Sequence, residues 1–221
     1  MPGRKERPPG YLPEAEYQQQ VKTALDRLYR EVEVQWCAFR GEGHRTYAPR
    51  VDIAVGPFAM HGRFIEEYTA LMHETRRFIE SLITYHNHNA QGIGQPLTFE
   101  DILHFNENAR CLISIEIEEG GSCKHCVGNL VNASSLGRVG LLVARTDKVL
   151  RRFLRQRAYF QFLEEVGKNT FKTANALVLS EAQFDECLRQ IPLLGQGNGQ
   201  EQNRLRTPED PIVFHARAAR R

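Results

Sequence analysis

Residues 113–126 read ISIEIEEGGSCKHC. Ile113, Ile115 and Ile117 alternate with Ser114, Glu116 and Glu118, the period of two that a β-strand imposes. Two glycines and a serine then turn the chain. The next stretch, CKHCVGNLVNASSL, reads as a helix ended by Gly137. VGLLVA follows and is too apolar throughout for a half-exposed strand, so it reads as a buried one. This strand–helix–strand unit decides the fold. Its two glutamates also pose a question of chemistry. They form either a solvated strand face, which antiparallel sheets often present, or part of an acidic site.

Upstream, PEAEYQQQVKTALDRLYREV reads as a helix, with Pro13 at its start and carboxylates at the positive end of its dipole. VEVQWCAFRG and RVDIAVGPF read as strands separated by the turn GEGHRTYAP. In the second strand Val51, Ile53 and Val55 share one face, and Asp52 and Ala54 share the other. Trp36 reads as a core residue. One long helix is predicted from Arg63 to His86, with Phe64, Tyr68, Leu71, Phe78 and Leu82 as its apolar stripe. His86 and His88 in YHNHN look like a metal pair but read as loop residues without an acidic partner. LTFEDILHFNENA reads as a shorter helix, with Thr98 and Asp101 as a capping box. After VGLLVA come a basic helix from Thr146 to about Val166, a short strand ANALVLS and a helix capped by Ser180.

These elements predict an α/β domain over residues 13–191, with a central mixed sheet flanked by helices and a helical insertion at about 60–108. Residues 1–12 and the basic tail 192–221 read as disordered.

The composition is that of an ordinary globular protein, with 41% hydrophobic and 25% charged residues. A net charge of +2 makes no case for nucleic acid. The distribution is uneven, however: residues 145–221 hold 14 Lys+Arg against 9 Asp+Glu. Five cysteines, an odd number in a chain this long, do not suggest a disulfide framework. The opening MPGRKERPPG lacks the apolar core of a signal peptide, and no apolar run approaches a membrane span. The expected setting is the reducing cytoplasm, without a membrane partner.

Asp52 repeats the arrangement of Glu116 and Glu118: an acid within an apolar strand. If the two strands are neighbours, three carboxylates converge. Such crowding of like charge is relieved by a hard divalent cation, usually Mg²⁺. Lys124, in the first turn of the following helix, would orient water or balance phosphate charge there, and the helix N-terminus favours an anion.

In this order the elements resemble the PD-(D/E)XK nuclease superfamily, whose fold is restriction-endonuclease-like. PRVDIAVGP supplies the aspartate, IEIEE the acid pair and CKHCVGNLVNASSLGRVGLLVA the helix and strand. The likeness covers roughly residues 14–145. It implies a Mg²⁺- or Mn²⁺-dependent endonuclease acting on DNA, possible as a homodimer, with the insertion serving dimerisation or recognition. Asp52 and Glu116 would bind metal, and Glu118 would bind metal or act as base. Glu118 occupies the position of the family's lysine, and Lys124 would replace that lysine from the following helix. Glu16 resembles an additional helical acid found in some members, and Glu14 would serve equally.

Lys148, Arg151, Arg152 and Arg155 share a helix face suited to phosphates. A solvated outer face is the plainer reading. Arg157 and the tail residues Arg204, Arg206, Arg217, Arg220 and Arg221 would add nonspecific affinity. His125 would contact phosphate or simply be exposed, and Asn132 would face the site, pack or cap. Two other functions stand beside the nuclease. One is a non-catalytic binding module on the same fold. The other is a zinc or redox protein built on Cys123 and Cys126, for which a zinc site lacks two of its usual four ligands.

Overall fold

Helix α1 (Glu14–Leu25) starts directly after Pro13, whose extended backbone cannot continue a helix backwards. The computed structural model describes residues 11–39, 48–168 and 171–196. The pattern predicts α1 through YREV, but the chain turns at residues 26–28. Ending there lets Tyr29 drop into the core, its ring edge-on to Phe78 at 6.3 Å.

Strands β1 (Val32–Cys37), β2 (Arg50–Val55), β3 (Cys111–Glu118), β4 (Gly137–Ala144) and β5 (Ala176–Ser180) lie side by side in that order. The first three form an antiparallel meander; β3, β4 and β5 run parallel. The sheet is therefore mixed. A parallel neighbour needs a crossover, and α5 (Cys123–Leu136) and α6 (Asp147–Glu165) provide the two. Together with seven helices among the described residues this is an α/β fold.

One sheet face carries Ile53, Val55, Ile113, Ile115, Ile117, Leu141, Val143 and Leu179. It packs under α1, α2 (Ile65–Glu74), α3 (Arg76–Asn89), α4 (Phe99–Leu103) and α7 (Glu181–Gln196). Leu142, Ala144, Ala176 and Val178 pack under α5 and α6 on the opposite face. At Gly140 a Cβ would stand 2.9 Å from the Ala133 backbone, so glycine lets α5 lie close on β4.

Several expectations change. The predicted helix from Arg63 to His86 is two helices, because Thr75 leaves helical geometry (φ −103°, ψ 17°) and turns its hydroxyl back to the Leu71 carbonyl at 2.7 Å. The apolar stripe of α3 is covered by the core. His86 and His88 are helical. His86 is buried, and its Nδ1 accepts the N–H of Val178 in β5 at 3.1 Å. Burial, followed by the charge of Arg157, lowers its pKa to about 3 and keeps it neutral. The helix in LTFEDILHFNENA spans only α4, and the capping box of Thr98 and Asp101 forms as read.

Both edges of the predicted domain also shift. Tyr11 and Leu12 are held by Arg145, whose guanidinium lies 4.0 Å from the Tyr11 ring centroid and donates to the Leu12 carbonyl. α7 continues through Pro192 to Gln196. The expectations for residues 1–10 and for the tail arginines lie outside the described residues. Trp36 is buried, as read, and stacks on Phe58 at 5.0 Å. No helix among the described residues is long and apolar enough to cross a membrane.

Candidate functional site

Asp52 lies in β2 and Glu116 in β3. The β2–β3 ladder pairs Ala54 with Ser114 and Ile53 with Ile115 and ends there, and Asp52 and Glu116 are the next residues of the two strands. Both acids then share a face. That face is not solvated: Ser114 is 0% exposed and Glu116 is 5% exposed. Alternation in the sequence separates two faces, but here α5 covers the polar one.

Asp52 is held from three elements. Its Oδ1 accepts the side-chain amides of Gln18 (α1) at 3.1 Å and Gln35 (β1) at 2.9 Å. Its Oδ2 accepts the backbone N–H of Ile117 at 2.7 Å. Gln35 has φ +50°, a left-handed conformation rare for a residue with a side chain. A strained backbone thus presents its amide to Asp52, an arrangement that recurs at functional sites. Gln18 is buried and is also within 3.4 Å of Glu14 Oε1.

Burial pushes Asp52 up to about 6, with Glu14 and Glu118 adding repulsion against the hydrogen bonds from Ile117 and Gln35. Glu116 is pushed up to about 9, by burial first and then by the charge of Asp52. Asn132, one of the accessory candidates, does reach this site and donates to Glu116 Oε1 at 3.4 Å. At neutral pH the facing pair therefore retains one proton, because two desolvated carboxylates cannot both ionise cheaply.

Glu118 is turned to a different task. Its Oε1 accepts the N–H groups of Gly120 and Gly121 at 2.9 and 2.6 Å, and Oε2 accepts from Asn129 at 3.4 Å. A Cβ at residue 121 would run into that carboxylate. Glu118 thus closes the glycine turn, and a side chain at residue 121 would make its carboxylate move aside. Lys124 and His125 are exposed in the first turn of α5. Lys124 makes no hydrogen bond or ion pair among the described residues, and the His125 backbone N–H donates to the capping Ser122 hydroxyl at 3.3 Å.

Glu16 is exposed and has no contact with Asp52; the acid of α1 that faces the site is Glu14, one turn before Gln18. On α6, Lys148, Arg151 and Arg155 are exposed. Arg152 leaves that row: it is half-buried and donates to the Gly121 carbonyl, with Cys126 Sγ at 3.9 Å. Arg157 is buried and donates to the carbonyls of Ala176 and Ala174 at 2.8 and 3.1 Å, so it cannot meet phosphate.

Gln18, Gln35 and Asn129 were not read from the sequence. An amide carries no charge and fits many solvated positions. The one available signal was Gln18 standing a helical turn beyond Glu14.

The donor set restricts which metal the pair could hold. Asp52 and Glu116 offer only oxygen, and Asp52 Oδ2 keeps one lone pair beside its bond to Ile117. That suits Mg²⁺ or Mn²⁺, hard cations of which Mg²⁺ typically takes one or two carboxylates and keeps its waters. It does not suit a cage of three ligands. Among the described residues no group of three or more His, Cys, Asp or Glu is placed to hold a metal, and this applies equally to Cys123 and Cys126. Compared with family models, curated proteins and solved structures, the chain matches none.

Proposed function

We propose that the chain is a Mg²⁺- or Mn²⁺-dependent nuclease that cleaves phosphodiester bonds in DNA. The observation that carries this reading is the desolvated pair of Asp52 and Glu116, just past the end of the ladder on adjacent strands and close enough for the Asp52 charge to act on Glu116, with pKa values raised to about 6 and about 9. A cation is the partner that makes such a pair favourable in its ionised form. Support also comes from the order of elements around the pair, in which α1, β1, β2 and β3 are followed by α5 and β4 within one mixed sheet.

Asp52 and Glu116 would hold the metal. A bound Mg²⁺ supplies Lewis-acid polarisation of a phosphodiester oxygen and a more acidic bound water. Gln18 and Gln35 fix the Asp52 carboxylate, and Asn132 orients Glu116. Lys124 is an exposed cation at the N-terminus of α5, where backbone N–H groups also favour an anion. It is free to approach a scissile phosphate. Lys148, Arg151 and Arg155 extend that positive surface along α6. The proposal requires no second copy of the chain.

One observation favours a second reading, a DNA-binding module that does not cut. Glu118 stands where the family has lysine and closes a turn. Supercoiled plasmid incubated with the chain and Mg²⁺ or Mn²⁺ separates the two. Nicking that disappears in both Asp52→Asn and Glu116→Gln is the expected result. Metal-dependent nicking that persists in Asp52→Asn overturns the assignment, and DNA binding by a wild-type chain that cuts neither plasmid nor single-stranded DNA establishes the second reading.

A further inference from the structure

Among the described residues the exposed large hydrophobics are Ile93, Tyr159, Phe162, Val166 and Phe171. They are not scattered. Tyr159 and Phe162 continue the row Lys148, Arg151, Arg155 at helical spacing, so one face of α6 carries these five, and Val166 follows at its C-cap. Its first half is cationic and its second half is aromatic or apolar. From Lys148 to Phe162 the row spans about 21 Å at 1.5 Å per residue. Tyr159 and Phe162 are 57% and 54% exposed, although aromatic rings are usually covered.

The surroundings are also built. Phe162 forms one wall of a cleft of about 360 Å³, whose other walls include Ile93, Gln95, Gln161 and Glu165. Two amides therefore sit beside an exposed ring. Phe160 is half-buried, edge-on to Tyr159 at 6.0 Å and to Phe171 at 6.5 Å, and stiffens the cluster from beneath. At its other end α6 is tied to the candidate site. Arg152 donates to the Gly121 carbonyl, Gln156 donates to the Cys123 carbonyl at 2.9 Å, and Thr146 donates to the Glu119 carbonyl at 3.2 Å. The cationic half thus begins beside the turn closed by Glu118. Lys148, Arg151 and Arg155 have no ion-pair or hydrogen-bond partner among the described residues.

Cations alone would suit any polyanion. Exposed rings in line with them are of no use to a paired duplex, whose bases are stacked inside, but they receive unstacked bases. We infer that the outer face of α6 is a track for a single nucleic-acid strand, with phosphates on Lys148, Arg151 and Arg155 and bases stacked on Tyr159 and Phe162. The inference rests on the nuclease reading for the class of its ligand and narrows that class to substrates with an unpaired strand.

The test is binding in EDTA, which does not depend on cleavage. Fluorescence anisotropy compares a labelled 20-nucleotide oligo-dT with a 20-base-pair duplex, using the full chain. The expected result is a single-strand preference of about tenfold or more, lost in Tyr159→Ala with Phe162→Ala. The exchange Tyr159→Phe with Phe162→Tyr keeps both rings and should keep the preference. Arg151→Ala with Arg155→Ala should weaken both ligands and reduce the salt slope for single strands by roughly 1.4, about 0.7 per lost phosphate contact. Equal affinity for duplex and single strand, or unchanged single-strand binding after loss of both rings, overturns the inference. So does a dimer in sedimentation that dissociates on Tyr159→Ala with Phe162→Ala while binding is retained, since the face would then belong to a second copy. Single-strand binding by a chain that, with Mg²⁺ or Mn²⁺, cleaves neither plasmid nor the single-stranded oligonucleotide leaves the track standing and removes the nuclease.

Discussion

The backbone N–H of Ile117 donates to the Asp52 carboxylate at 2.7 Å, so a side chain completes the β2–β3 contact where the ladder has ended. Asp52 is thereby structural as well as a candidate ligand. Asp52→Ala leaves that N–H and two amides without their acceptor, and a cost of about 1–3 kcal/mol is expected in urea unfolding. Asp52→Asn preserves the shape and one acceptor and should cost less. Equal stability of the alanine variant and the wild type would show that the Ile117 bond does not hold the strands.

Glu116 makes stability depend on pH in a defined direction. Its folded pKa, about 9, lies above the ordinary value of 4.5, so the native state binds the extra proton between those limits. Stability therefore falls as pH rises through that window. Asp52 adds a smaller fall between 3.8 and about 6. Glu116→Gln should flatten the upper part of the curve and raise Tm at pH 8 by at least about 3 °C. A wild-type Tm that is level from pH 6 to 9 contradicts this.

Metal should reverse that trend. At pH 7.5, Mg²⁺ or Mn²⁺ at ten times its Kd should stabilise the wild-type chain by about 1.4 kcal/mol, or roughly 3–6 °C in Tm. Glu116 must lose its proton to bind the cation, so calorimetry in two buffers of different ionisation enthalpy should show release of about one proton. Glu116→Gln and Asp52→Asn should abolish both effects. Undiminished stabilisation in both variants places the cation elsewhere.

Gln35 offers a comparison of two substitutions. Both Gln35→Gly and Gln35→Ala remove the amide bonded to Asp52, but only glycine accepts φ +50° without strain. The glycine variant should be the more stable by about 1 kcal/mol in chemical denaturation. In both variants the pKa of Asp52 should rise further, because a bond favouring its ionised form is gone. Nuclear magnetic resonance titration of the Asp52 carboxyl reads that shift, and an unchanged value argues against the contact.

Arg157 and Arg151 look alike in the sequence and should behave oppositely. Arg157→Ala removes a buried guanidinium bonded to two carbonyls and should cost about 2–4 kcal/mol in thermal or urea unfolding. Its effect on DNA affinity should be no greater than its effect on the folded fraction. Arg151→Ala should leave Tm unchanged and weaken DNA binding. The reverse pattern would assign the phosphate contact to Arg157.

Most element types were legible because they rest on local periodicity. The alternation of Ile113 to Glu118 and of Val51 to Val55 marked two strands of the meander, and the Thr98 capping box marked a helix start. Asp52 and Glu116 were legible as candidates because an acid inside an apolar strand is costly and therefore noticeable. The break at Thr75 was not, since threonine is tolerated in helices and its hydroxyl bond competes with helix only in context. Arg157 was misread for a similar reason. Its neighbours are basic, and only the proximity of the Ala174 and Ala176 carbonyls draws it inward. The choice of Glu14 over Glu16 depended on the rotation of α1 against the sheet, which a helix of mixed polarity does not announce.

The alternation of strands and helices, the apolar faces that drive them together and the acids that interrupt those faces are all written locally along the chain. These follow from the period of the backbone and the cost of placing charge beside hydrocarbon. Only the tertiary structure decided that α5 covers Glu116, that Glu118 turns back to close the Gly120–Gly121 turn, and that Gln18 and Gln35 hold Asp52 from two other elements. Burial and hydrogen bonding between residues distant in the chain set those charges. No local pattern encodes the solvent that a neighbouring helix removes.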